Sequence, residues 1–148
     1  NILLAEEEKS LMLGSFGRIN KDSFSRVREL LEKFNLWEKR GLLAKELSYG
    51  EQRQVDLILG LAPNPKLLLL DEPTAGLSPT EVSAITSMIC ELAQDITVVL
   101  IEHDMDVVFN VAEDITVLHY GQVLAEGRGE EIKANPKVRE AYLGEEAA

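Results

Sequence analysis

The sequence is poor in cysteine and in long apolar runs, and each shortage excludes a class of protein. Cys90 is the one cysteine among 148 residues, so an internal disulfide is excluded and a reducing compartment is indicated. No apolar run approaches the roughly 20 residues that a membrane-spanning helix needs, and no signal peptide is visible. These shortages argue against a disulfide-stapled secreted domain and against an integral membrane protein.

Basic residues are also scarce, with 15 Lys and Arg against 26 Asp and Glu and a formal net charge of -11. Such a field repels the phosphate backbones of DNA and RNA, and no Lys or Arg cluster suggests a local exception. We therefore expect no nucleic-acid partner. The remaining composition, 45% hydrophobic and 28% charged, is typical of a globular protein of about one domain.

The chain divides into three predicted segments: a helical segment at 1–46, a core at 47–127 and carboxy-terminal helices at 128–148. In the first segment, apolar residues of 23–34 recur on one stripe, and Asp22 or Ser23 is a natural helix cap. Because the chain opens at Asn1 directly into apolar sequence, we expect it to be part of a longer protein.

The core segment has the pattern of an α/β fold. Residues 67–70 and 96–101 are short apolar runs, as expected of strands that are covered on both faces. Apolar residues at helical spacing lie between them, at Val82, Ile85, Ile89 and Leu92. A strand, a helix and a strand over about 35 residues predict a βαβ unit, and hence a parallel sheet.

Several helix starts are marked by capping residues. Ser48 with Glu51, and Ser78 with Glu81, both fit the capping box, in which a serine and a glutamate satisfy each other's backbone amides. Asn135 marks a further start.

In the last part of the chain, the sequence pattern predicts a hairpin that is followed by two short acidic helices. The strands are expected at 115–119 and 122–125, with the turn at residues 120–121. His119 is interpreted as an ordinary strand residue.

Two acids, Asp71 and Glu72, follow the first apolar strand. The carboxyl edge of a parallel sheet is where α/β proteins bind ligands. Asp71 offers the hard oxygen that Mg²⁺ prefers, and Glu72 could polarise an attacking water as a general base. A solvated turn is the plain alternative.

A second candidate is the helix start at Ser48 and Gly50, where free amides and the helix dipole favour an anion. Taken alone, it is only a capped helix. A third is His103, at the end of the second strand, which is expected near the same sheet edge as the acids. There it could donate a hydrogen bond to a terminal phosphate.

Together these segments resemble the ABC ATPase family over nearly the whole chain. The likeness is carried by 47–52 for the signature motif, 67–72 for the Walker B strand, 75–78 for the D-loop and His103 for the switch histidine. It implies a partial P-loop NTPase fold, in which a parallel sheet with flanking helices is joined to an α-helical subdomain.

The same resemblance implies the ligands, ATP and Mg²⁺, and the role of each residue. Asp71 would help to hold magnesium, Glu72 would be the catalytic base and His103 would contact the γ-phosphate. Ser48 and Gly50 would contact the γ-phosphate of an ATP that the other subunit of a dimer carries. The implied nucleotide-binding set is Ser48, Tyr49, Gly50, Glu51, Asp71 and Ser78.

Two positions depart from the family pattern. Tyr49 replaces the common second glycine of the signature, which is tolerable if Ser48 and backbone amides meet the phosphate. Ser78 replaces the common aspartate of the D-loop, which puts in doubt how that loop couples the two sites of a dimer.

More narrowly, the motifs are similar to those of ATP-binding subunits of branched-chain amino-acid importers. Lipopolysaccharide-export ATPases share the pattern of the tail and are the nearest competitor. The likeness implies a second ATPase subunit, membrane subunits and a cytoplasmic place on the inner face of the membrane. A non-catalytic interaction module stays open, whereas a repair or translation ATPase is disfavoured by the acidic charge and the lack of heptads.

The sequence has no phosphate loop of the form G-x-x-x-x-G-K-[ST], because none of its ten glycines is followed by lysine. We therefore predict that the isolated chain binds ATP very weakly and does not turn it over. Without the family's amino-terminal strands, an exposed sheet edge or apolar face is expected, which favours self-association.

Overall fold

The computed structural model describes residues 21–143, with side chains from 24 to 142. In this range, α1 spans Lys21–Lys33, and 3₁₀ turns follow at Trp37–Lys39 and Ala44–Glu46. Next come α2 (Tyr49–Leu61), β1 (Leu67–Asp71), α3 (Pro79–Leu92) and β2 (Thr97–Ile101). The chain continues through α4 (Met105–Val111), β3 (Asp114–His119), β4 (Gln122–Arg128), α5 (Gly129–Ala134), α6 (Pro136–Val138) and a π-helical turn at Arg139–Leu143.

The described residues form two compact units, one that ends at Val99 and one that begins at Leu100. The division into segments 1–46, 47–127 and 128–148 stays a prediction. None of the helices within 21–143 combines the length and the apolar character that crossing a bilayer requires.

In the first unit, β1 and β2 pair in a two-stranded sheet. The Thr97 amide donates to the Lys66 carbonyl at 3.1 Å, which joins the starts of the two strands. Because α3 returns the chain from the end of β1 to the start of β2, the strands run parallel. The predicted βαβ unit is confirmed.

The helices of this unit bury their apolar stripes together and against β1. A Cβ atom placed on Gly60 would lie 3.0 Å from Leu68 Cδ1, so α2 packs closely on the strand. Lys33 at the end of α1 pairs with Glu91 of α3 at 3.2 Å. The buried apolar residues include Val27, Leu31, Phe34, Leu57, Ile58, Leu61, Leu68, Ile85, Met88, Ile89 and Leu92.

Two expectations for this unit were wrong. Asp22 and Ser23 lie inside α1 rather than capping it, since the helix already includes Lys21. The strands are not covered on both faces: Leu68 is buried, whereas Leu67, Leu69 and Val99 are 51%, 68% and 47% exposed. Side chains alternate across a strand, and α2 packs against the face that carries Leu68.

The second unit is built on the predicted hairpin, which is confirmed with β4 longer than expected. β3 and β4 pair antiparallel, with an irregularity between Val117 and Leu118. Tyr120 and Gly121 form the turn with φ angles of 48° and 73°, the left-handed pair that a tight two-residue hairpin requires. The core of the unit comprises Ile115, Val117, Ile132 and Val138.

Tyr142, near the end of the described residues, is held against this hairpin. The Tyr142 hydroxyl donates a hydrogen bond to the Leu118 carbonyl, and the Tyr142 ring meets His119 edge to face at 5.9 Å. Asn135 begins α6 as predicted, because its side chain accepts from the Lys137 amide at 3.0 Å.

Candidate functional site

The acidic pair lies where β1 ends. Asp71 is the last residue of the strand and is exposed. Glu72 follows with a φ of 45°, in the left-handed region that non-glycine residues rarely adopt. The turn is closed by two hydrogen bonds of 3.2 Å, from the Ala75 amide to the Glu72 carbonyl and from Leu77 to Thr74. Strained backbone conformations of this kind cluster at functional sites, which supports the chemical role predicted for Glu72.

A metal ion would find only part of its ligand set here. Within the part of the chain that the structure describes, no three His, Cys, Asp or Glu side chains converge as a metal site. Asp71 supplies a single exposed carboxylate. Mg²⁺ is commonly bound through one or two carboxylates with phosphate oxygens and water, so Asp71 fits this ion when a nucleotide is present.

The start of α2 has the predicted capping box. The Glu51 amide donates to Ser48 Oγ at 3.2 Å, and the Ser48 amide donates to Glu51 Oε2 at 2.9 Å. A hydrogen bond from Lys39 and then the Ser48 amide bond hold the pKa of Glu51 below its ordinary value. Ser48 itself is exposed at the helix start.

Gly50, in the first turn of α2, is buried and is already engaged with an anion of the chain. Its amide donates to Oε1 of Glu81, a residue of α3, at 3.2 Å. A Cβ atom at Gly50 would lie 2.5 Å from that oxygen and 2.8 Å from Glu81 Cδ. A side chain at position 50 would therefore displace the Glu81 carboxylate from the Gly50 amide.

The other oxygen of Glu81 is held by Ser78. Glu81 Oε2 accepts from the Ser78 amide at 3.0 Å and from the Ser78 hydroxyl at 2.7 Å. The bond from the hydroxyl, then that from the Ser78 amide, and to a smaller extent that from Gly50, lower the pKa of Glu81. The predicted capping box of Ser78 and Glu81 is therefore present, and the Ser78 hydroxyl in addition donates to the glutamate.

Tyr49 gives the start of α2 a second contact with the loop before α3. A Cβ atom added to Gly76 would lie 3.5 Å from Tyr49 Cε1, so the tyrosine ring lies close to the Gly76 backbone. Arg53 donates to the Tyr49 hydroxyl at 2.7 Å, and its guanidinium lies 5.1 Å from the ring centre. The aromatic residue that departs from the family signature thus lies beside Gly76 and is held by Arg53 of its own helix.

His103 lies two residues beyond β2, in the second unit. Its side chain is 69% exposed, while the side chain of the preceding Glu102 is fully buried. The His103 amide donates to Glu102 Oε2 at 3.2 Å, and Nδ1 lies 3.9 Å from the same oxygen. Asp104 then caps α4 by accepting from the Asp106 amide at 3.0 Å. The predicted proximity of His103 to the acidic pair stays a prediction.

The structure thus brings together two of the predicted elements: the signature turn, which is the start of α2 at 48–51, and the D-loop at 75–78. Ser48, Gly50 and Glu51 lie on one helix start, and Glu81 joins that start to Ser78. The sequence indicated Glu81 only as a local cap. Its contact with Gly50 joins residues 31 positions apart, and no local pattern signals such a pair.

Solved structures with a similar fold include ATP-binding cassettes of ABC transporters. One, described as the ADP conformation of an ATP-binding cassette of an ABC transporter, matches 97% of this chain and 62% of its own. The TM-score is 0.78 at 33% sequence identity. The fold is therefore that of a partial P-loop nucleoside triphosphatase.

Sequence comparisons agree with this fold. A family model described as "ABC transporter" matches residues 3–75, and one described as "Branched-chain amino acid ATP-binding cassette transporter" matches 122–148. The high-affinity branched-chain amino acid transport ATP-binding protein LivG of Escherichia coli is 36% identical over 98% of this chain. The lipopolysaccharide export system ATP-binding protein LptB of Haemophilus influenzae is 37% identical over 80%.

The chain belongs to the ABC transporter family of ATP-binding cassettes. It spans 61% of the length of LivG and 49% of the length of LptB.

Proposed function

We propose that this chain is the signature and Walker B part of an ATP-hydrolysing subunit that powers branched-chain amino-acid uptake. The observation that carries the proposal is the linked arrangement of capped signature turn, acidic strand end and D-loop in a chain akin to LivG. The family match at 122–148 favours the amino-acid importer over other transporters.

Each residue has a role that its position supports. Glu72 follows β1 in a strained turn, where its carboxylate is the base that takes a proton from the attacking water. Asp71 would hold Mg²⁺, which when bound neutralises the charge on the phosphates. His103 is exposed after β2, and there it donates a hydrogen bond to the terminal phosphate.

The start of α2 serves the second nucleotide of a dimer. Ser48 is exposed and its hydroxyl lies at the positive end of the helix, so it can meet a γ-phosphate that a second ATPase subunit carries. Tyr49, Gly50 and Glu51 complete this turn, and Ser78 belongs to the loop that faces the dimer partner. The membrane subunits of the transporter hold the assembly at the inner face of the membrane.

A chimera tests the proposal. The part of LivG that precedes its aligned region is joined to this chain, and ATP hydrolysis is measured with and without Glu72→Gln. We expect saturable hydrolysis by the chimera and its loss in the Glu72→Gln form. A folded chimera that binds ATP yet hydrolyses none, beside an active LivG control, would contradict the proposal.

The likeness to LptB supports a second candidate, an ATPase of lipopolysaccharide export. The same chimera separates the two when it is expressed in Escherichia coli that lacks LivG or, in a parallel strain, LptB. Restored uptake of leucine supports the importer. Restored lipopolysaccharide export without leucine uptake would replace it with the exporter.

A further inference from the structure

Glu81 is not among the residues to which the family resemblance gives a role, yet its carboxylate joins the two loops of the proposed nucleotide site. We propose that Glu81 is an internal anion that holds the Gly50 amide until a phosphate replaces it, and that this replacement releases Ser78. The proposal rests on the proposed function, because it concerns the phosphate expected at the start of α2.

The first step is competition for one hydrogen. The Gly50 amide donates to Glu81 Oε1 at 3.2 Å, and Gly50 is buried, so the carboxylate occupies the direction in which this amide points. A phosphate oxygen that bonds the same hydrogen must take the place of Oε1. Two anions at one helix start also repel each other, so the arrival of phosphate expels Glu81.

The second step is the link to Ser78. Both donors of Ser78, its amide at 3.0 Å and its hydroxyl at 2.7 Å, are bonded to Oε2 of the same carboxylate. Because both oxygens belong to one carboxylate, a movement of the Glu81 side chain that takes Oε1 from Gly50 also moves Oε2 against the two Ser78 donors. Occupation of the signature turn by phosphate is thereby transmitted to the loop before α3.

The side chain at position 78 matters for this link. An aspartate there would place a second carboxylate beside Glu81, and the two would repel. The Ser78 hydroxyl instead donates to Glu81. Ser78 and Glu81 therefore form a matched pair, in which the loop is held by a hydrogen bond that phosphate can break.

The test uses the 148-residue chain labelled with ¹⁵N and titrated with inorganic phosphate, with chloride at equal ionic strength as the blank. The amide signals of Gly50 and Ser78 are followed in the wild type and in Glu81→Gln. Glu131→Gln is the matched control, because Glu131 accepts from the Arg128 amide at 2.9 Å at the start of its own helix, α5.

In the wild type, the Gly50 and Ser78 signals should move together with one midpoint. In Glu81→Gln the phosphate midpoint at Gly50 should fall roughly two- to fivefold, the effect of removing one charge at a helix start. Glu131→Gln should leave the midpoint unchanged. An unchanged midpoint in Glu81→Gln, no phosphate response at Gly50 in that variant, or a Ser78 signal that stays fixed in the wild type would overturn the proposal.

A stability cycle tests the contact without any ligand. Gly50→Ala should change the urea midpoint less favourably in the wild type than in a Glu81→Ala background, since its Cβ would displace the Glu81 carboxylate from the Gly50 amide. In the Glu81→Ala background the same change should leave the midpoint unchanged or raise it, because alanine favours a helix. An equal change in both backgrounds would overturn the contact.

These results are distinguishable from those of the chimera. An inactive chimera combined with the expected phosphate midpoints would remove the ATPase function and leave the competition between Glu81 and phosphate standing. An active chimera with equal phosphate midpoints in wild type and Glu81→Gln would remove the competition between Glu81 and phosphate and leave the ATPase function standing.

Discussion

At the scale of single residues, Glu72 carries a cost that its neighbour Asp71 does not. Its φ of 45° lies in the left-handed region, where an L side chain costs roughly 1–2 kcal/mol relative to glycine. We expect Glu72→Gly to be more stable than Glu72→Ala by about 1 kcal/mol in urea unfolding, since both variants lack the carboxylate.

Asp71 provides the control for this prediction, because it is a strand residue of β1. There the order should reverse, with Asp71→Gly less stable than Asp71→Ala by about 0.5–1 kcal/mol, since glycine weakens a strand. Equal stability of the two Glu72 variants would mean that the turn stores no strain.

At the scale of elements, the local caps could be predicted from sequence and the longer contacts could not. Ser48 and Glu51 are three positions apart, so a short stretch of sequence suffices to predict the capping box that they form. The hairpin turn at residues 120–121 is equally local. The hydrogen bond from Gly50 to Glu81 depends on how α2 and α3 pack together. No short stretch of sequence contains that information.

The burial of the strand faces likewise depends on tertiary packing that the sequence does not show. An apolar run predicts that a strand is buried, and the run at 67–70 does form β1. Which face is buried depends on what packs there, and Leu69 stays exposed beside the buried Leu68. The candidate residues after each strand could be proposed from the sequence because strand ends are local features, whereas the distances between these residues are not.

The two capping carboxylates give a prediction at this scale. The pKa values of Glu51 and Glu81 are lowered from the ordinary 4.5, so both groups bind protons more weakly in the folded state than in the unfolded state. Their contribution to stability is therefore full above 4.5 and is lost as the pH falls through the lowered values.

Urea unfolding at a series of pH values measures this loss. Glu51→Gln and Glu81→Gln should each make stability depend less steeply on pH below 4.5 than in the wild type. Glu113→Gln is a useful comparison for the general effect of removing one negative charge. A wild-type slope that neither capping variant reduces would contradict the assignment.

At the scale of the whole molecule, the sheet of the first unit presents an apolar face. Leu67, Leu69 and Val99 are exposed on the two strands, and each alternates with a residue that is more deeply covered. Exposed apolar residues that lie together on a sheet favour association between copies of a chain. We therefore expect the isolated chain to self-associate as its concentration rises.

Light scattering over a concentration series checks this expectation. Leu69→Lys should shift the chain toward the monomer, because a charge at the centre of the face must be desolvated on association. Tyr120→Ser is the matched control: it removes a side chain that is 94% exposed, but at the hairpin turn, and it should leave association unchanged. A wild-type chain that stays monomeric at the highest concentration would show that this face does not drive association.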